Sequence, residues 1–138
     1  MKHFTVCAQL LIFLSLARDA AASPAQHLDL LRTATIYTLD AQGITIERTP
    51  TLQAYQALKG TLSMETIKLA AEGATTAGQL YMAALACHAG HRRKGEAMVA
   101  KLDERTAVLS AAGGAFVYRN VKSLAEAGSP HNPCPGTN

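Results

Sequence analysis

The sequence predicts an α-rich (α+β) fold, a compact bundle of four to five short helices with an N-terminal β-hairpin. Three observations predict it. Residues 74–90 carry no Asp, Glu, Lys or Arg, and Leu80, Tyr81, Ala84, Leu85 and His88 fall at helical spacing. Capping residues and glycines punctuate the chain at short intervals, from Thr49 to Gly60, Ser63 to Gly73 and Thr75 to Gly90. Residues 33–39 are rich in β-branched and aromatic types, and a turn and an alternating run follow them.

Taken in order, the chain begins with a basic start (Lys2, His3) and an apolar run from Phe4 to Leu16, broken by Thr5, Gln9 and Ser15. Ala20 and Ala22 then stand at the −3 and −1 positions for cleavage after Ala22, with Ala17 and Ala21 as further cleavage points. This is the pattern of a secretory signal peptide over residues 1–22. The run is about thirteen residues where a membrane span needs about twenty, so no stable membrane anchor is expected after cleavage. Cys7 lies inside the run and lacks the setting of a lipidation site. The expected location is periplasmic or secreted.

A single helical domain is expected over residues 23–128. Residues 23–32 read as a polar lead-in with a small apolar patch at Leu28, Leu30 and Leu31. The hairpin is placed at 33–48: a strand from Thr33 to Leu39, a turn at Asp40–Gly43, and a second strand whose Ile44 and Ile46 share one face. Thr49 caps a helix that begins at Pro50, where the missing N–H costs nothing. Its inward face is Leu52, Tyr55 and Leu58. Ser63 caps the next helix, with Glu65 near its positive end and Met64, Ile67 and Ala71 inward.

Thr76–Ala89 is expected to be the central buried helix, capped by Thr75 or Thr76 and ended by Gly90. Gly78 within it costs about 1 kcal/mol relative to Ala, so a second backbone, such as the hairpin, is expected to cross there. After the cluster His91, Arg92, Arg93 and Lys94, a helix is expected from Glu96 to Arg105 with Met98, Val99 and Leu102 inward. Residues 106–109 are a strand or an extended connection, and 111–115 a small flexible link. A short extended piece at Phe116–Tyr118 is followed by a helix at about 119–127. Residues 129–138, with three prolines, form a tail.

Composition adds a constraint. After cleavage the chain has no Trp, and Phe116 is its only Phe, so the core is largely alanine and gains from a covalent staple. Cleavage also leaves two cysteines, Cys87 and Cys134, which in an oxidising compartment read as one disulfide tethering the tail to the central helix. The net charge of the whole chain is +3 and falls to about +2 without Lys2, Arg18 and Asp19. That is too little to imply nucleic acid or an anionic membrane.

Four constellations bear on chemistry. Cys87, His88 and His91 have types that suit zinc or copper, but Gly90 separates the histidines and the thiol is committed to the disulfide. The cluster His91, Arg92, Arg93 and Lys94 is the most asymmetric charge on the chain and is read as a solvated loop and a contact surface. Ser110 ahead of Gly113 and Gly114 faintly suggests an oxyanion loop, but no nucleophile elbow and no phosphate-cradling motif is present. Gln79 and Tyr81 on the central helix, with His88, could line a small pocket.

The stretch TTAGQLYMAAL from Thr75 to Leu85, preceded by a hairpin pattern and a Thr-Pro helix start, resembles a pattern in a group of uncharacterised small exported bacterial proteins. The resemblance covers about residues 34–90 and implies export but no activity. The function expected is therefore that of a non-catalytic exported interaction or structural protein with a protein partner. No catalytic residues, metal or cofactor are expected. The alternative is a small-ligand or metal-binding periplasmic protein using His88, His91 and a groove beside Tyr81.

Overall fold

The computed structural model describes residues 22–41, 43–44 and 49–136. The expected signal peptide therefore lies, apart from Ala22, outside the described residues, and so do residues 42 and 45–48 of the expected hairpin. Among the described residues there are six helices and one two-stranded antiparallel sheet. The helices are α1 (Pro24–Arg32), α2 (Pro50–Leu58), α3 (Met64–Ala71), α4 (Thr76–His88), α5 (Arg92–Ala100) and α6 (Val121–Ala125). The strands are β1 (Ala107–Ala112) and β2 (Ala115–Asn120), between α5 and α6.

The N-terminal hairpin is thus overturned. The hairpin lies near the C-terminus at 107–120, and residues 33–39 make only an isolated parallel bridge, Ile36 to Leu109. β-branched side chains favour extended backbone but do not choose its partner. Here the Tyr37 amide donates to the Leu109 carbonyl at 2.9 Å, so the extended segment lies along β1. The link expected to be flexible supplies the hairpin's turn: Gly113 (φ 56°) and Gly114 (φ 84°) both take positive φ, as a type I′ turn demands. The register pairs Ala112 with Ala115 and Leu109 with Tyr118. Arg119 and Asn120 stay in β2, so the last helix starts at Val121, with the Asn120 side chain accepting from the Ser123 amide at 2.8 Å.

The lead-in at 23–32 is also a helix. Ser23 and Gln26 form a reciprocal capping box: the Gln26 amide donates to Ser23 Oγ at 3.2 Å, and the Ser23 amide donates to Gln26 Oε1 at 2.7 Å. Pro24 at the first helical position adds the same signal. Four orphan amides are thereby reduced without any apolar periodicity, which is why a search for such periodicity passes over this helix.

α4 is the centre. Leu80, Tyr81, Met82, Ala83, Leu85 and Ala86 are all within 1 % of full burial, so the helix is enclosed on every side. Thr75 caps it, accepting from the Gly78 amide at 3.0 Å. α1, α2, α3 and α5 pack around it. The expected close crossing at Gly78 is present, but its partner is the end of α1. A Cβ on Gly78 would lie 2.7 Å from the carbonyl oxygens of both Leu31 and Arg32. Arg32 then ties that end to α3, donating from Nε to the Ala70 carbonyl (2.9 Å) and from Nη2 to the Glu72 carbonyl (3.0 Å).

Candidate functional site

α4 ends at His88, and a short turn through Gly90 reverses the chain into α5. The basic cluster is not a loop. His91 is the N-cap residue and Arg92, Arg93 and Lys94 form the first turn of α5, which runs Arg92–Ala100 and not Glu96–Arg105. Gly95, which reads as a break in sequence, is what lets α5 lie against α4. A Cβ there would meet Cys87 Sγ, come within 2.8 Å of the Ala83 carbonyl oxygen and stand 3.1 Å from Cys134 Sγ. Cys87 and Cys134 are joined by a disulfide with their Cα atoms 5.3 Å apart, within the usual range.

Arg92 is occupied by the tail. Its Nη2 donates to the Cys134 carbonyl at 3.0 Å, its Nη1 donates to the Pro135 carbonyl, and its Nε pairs with Glu96 at 2.8 Å. Of the four residues of the expected contact surface, Arg92 thus holds the chain's own tail, while His91, Arg93 and Lys94 are exposed. Sequence spacing contains no trace of this clamp, because it depends on where the disulfide folds the tail back.

The residues of the expected pocket lie apart. His88 is exposed at the end of α4, Gln79 is half-buried, with its Nε2 donating to the Ala74 carbonyl at 3.1 Å, and Tyr81 is fully buried. The Tyr81 hydroxyl donates to the Thr38 carbonyl at 3.1 Å, accepts from the Thr38 amide at 3.0 Å and lies 3.0 Å from Thr51 Oγ1. Burial pushes its pKa up to about 12 against the lowering effect of the Thr51 and Thr38 hydrogen bonds. Tyr37 packs edge-on against it at 4.9 Å, and burial, then the neighbouring phenols Tyr81 and Tyr55, raise the Tyr37 pKa well above its ordinary value. These phenols stay protonated and serve as hydrogen-bonding pillars of the core.

A second polar cluster comes from the tail. His131 is 2 % exposed, its Nε2 lies 2.9 Å from the Ala111 carbonyl and its Nδ1 lies 3.3 Å from the Leu39 amide. These partners assign the neutral tautomer, with Nε2–H donating and Nδ1 accepting. Its backbone carbonyl accepts from the Tyr37 hydroxyl at 2.7 Å. Both ring nitrogens are thus engaged, which leaves no lone pair for a substrate proton. The proximity of Cys134 in sequence is the one signal that this histidine would be carried inward. It is carried to β1, at the Ala111 carbonyl. Ser110 is fully buried in β1, its hydroxyl has no hydrogen-bond partner, and the glycines behind it form the hairpin turn. Among the described residues no three His, Cys, Asp or Glu side chains gather as a metal would require.

One open feature among the described residues is a groove of about 760 Å³ between α3 and α5, with Gln79 of α4 also in its lining. Met64, Ala71, Ala97 and Met98 supply its apolar surface. Glu65, Lys68 and Glu72 stand on the α3 side, and Lys94 and Lys101 on the α5 side. Lys94 therefore belongs both to the basic turn and to this groove.

Comparison with protein-family models, with curated proteins and with solved structures finds no match for this chain. Among the described residues no helix is long and apolar enough to cross a membrane. The bonded cysteine pair is compatible with a secreted protein.

Proposed function

We propose that this is a non-catalytic exported interaction protein whose contact surface is the exposed part of the α5 start, His91, Arg93 and Lys94, and whose partner is an acidic protein surface. The observation that carries this reading is a conflict with helix electrostatics. The N-terminal turn of a helix carries partial positive charge and disfavours cations, each by about 0.3–1 kcal/mol when exposed. Three consecutive cationic residues nonetheless stand there, and the first turn of α5 contains no acidic residue. Arg92 has an internal use, while Arg93 and Lys94 do not owe their place to the fold of α5. The buried titratable groups His131, Tyr37 and Tyr81 are satisfied inside the protein, which supports a role outside catalysis. The resemblance of residues 34–90 to small exported bacterial proteins, the cysteine pair and the N-terminal apolar run support export, with residues 1–22 removed as a signal peptide.

The test is chemical crosslinking of the exported protein in its native compartment. A partner band is expected with the wild type and with Arg93→Lys, and is expected to vanish with Arg93→Glu at unchanged thermal stability. A partner band that survives Arg93→Glu, or none with the wild type, overturns the reading.

A further inference from the structure

We infer that the groove between α3 and α5 is the interface of a two-fold homodimer, in which α3 of each copy lies against α5 of the other. The argument begins with the charges. Glu65 and Glu72 are seven residues apart on the α3 side, and Lys94 and Lys101 are seven residues apart on the α5 side. In each pair the first residue lies in the first turns of its helix and the second is the C-cap residue. Seven residues rise about 10.5 Å along a helix, so the two acidic and two basic groups have matching separations. A two-fold axis presents each chain's acidic edge to the other's basic edge twice, and the match holds whether the paired helices run parallel or antiparallel.

Within one chain these charges are not used against each other. Among the described residues the salt bridge is Arg92 with Glu96, and none of Glu65, Lys68, Glu72, Lys94 or Lys101 has an ion-pair partner. The same groove offers what an interface core needs. Met64 and Met98 are half-buried, flexible apolar side chains on opposite sides of it; Leu69 of α3, outside the groove lining, is 60 % exposed. Lys68 falls between the two glutamates in sequence and lines the same groove, and a lysine stem of this length is able to lie along apolar surface with its head in water. Exposed ion pairs contribute little each, so the contact is weak, sensitive to salt and set in its register by charge. The inference goes beyond the partner contact proposed above; the two share Lys94, but Arg93→Glu disrupts only that partner contact and leaves the charges of the groove in place, so either can fail alone.

The test is the mass in solution of the purified, disulfide-intact protein by sedimentation equilibrium at low salt, with far-ultraviolet circular dichroism as a control for folding. The wild type is expected to read twice the chain mass at high concentration and to dissociate when salt screens the charges. Glu65→Lys with Glu72→Lys makes both edges basic, and Lys94→Glu with Lys101→Glu makes both edges acidic, so each double variant alone is expected to be monomeric. An equimolar mixture of the two is expected to recover the dimer mass, because every contact in the mixed pair is again opposite in sign. A wild type that stays monomeric, double variants that remain dimeric, or a mixture that fails to associate overturns the inference.

Discussion

His131 sets the sign of the protein's response to acid. Burial lowers its pKa below the ordinary 6.5; the nearby Arg119 charge adds to this, while the Ala111 hydrogen bond and Asp40 oppose it. The unfolded chain then takes up a proton at a pH where the folded state does not, so the unfolded state binds more protons and stability rises with pH. The contribution is present above about pH 6.5 and is lost as pH falls from there through the folded pKa. Urea denaturation midpoints are expected to be flat near pH 7.5 and to drop on acidification below 6.5. The His131→Gln variant is expected to be less stable at pH 7.5 but to lose that part of the acid slope. An unchanged slope would show that the proton goes elsewhere. The role of this residue was hardly legible in the sequence, where it stands in a proline-rich tail. Its burial follows from a disulfide three residues away and from the open edge of β1, whose Ala111 carbonyl needed a donor.

Two glycine sites decide how elements meet. At Gly78, adding a methyl group forces α1 off α4, because the obstacles are backbone carbonyls and not a flexible side chain. Gly78→Ala gains helix propensity of about 1 kcal/mol but incurs overpacking of about 1–3 kcal/mol. A net loss of stability is expected, read as a lower melting temperature despite the better helix former. The hairpin turn behaves oppositely. Gly113 has φ 56° with open space around its Cβ position, and Asn tolerates that conformation. Gly113→Asn creates the favoured Asn-Gly turn and is expected to stabilise by up to about 0.5–1 kcal/mol through a less flexible unfolded chain. A destabilised Gly113→Asn would refute the type I′ assignment.

For the molecule as a whole, the Cys87–Cys134 bond organises more than the tail. It joins positions 47 residues apart in sequence, and α5 passes over it at Gly95 while Arg92 holds the carbonyls beyond it. An alanine-rich core of this size gains about 2–4 kcal/mol from such a bond. Reduction, or Cys87→Ala with Cys134→Ala, is expected to lower stability by that amount. It is also expected to free residues 129–136, read as faster amide exchange at His131 and Cys134. Unchanged exchange in the reduced protein would mean that Arg92 and His131 hold the tail without the bond.

The sequence by itself determined the cysteine pairing, the central place of α4, the close crossing at Gly78 and the starts of α2, α3 and α4. Each of these follows from a local cause: a capping hydroxyl, a proline at the first helical position, a charge-free run, or the two cysteines that stand outside the N-terminal apolar run. α1 carries an equally local signal in its Ser23–Gln26 capping box, and reading residues 23–32 as a polar lead-in missed it. Only the tertiary structure decided which extended segments pair, that Arg92 serves the tail, that Tyr81 is a pillar of the core, and that Glu72 and Lys101 face one groove. Strand pairing, a long-range clamp and a groove depend on contacts between residues far apart in the chain, and propensity and spacing carry no information about who the distant partner is.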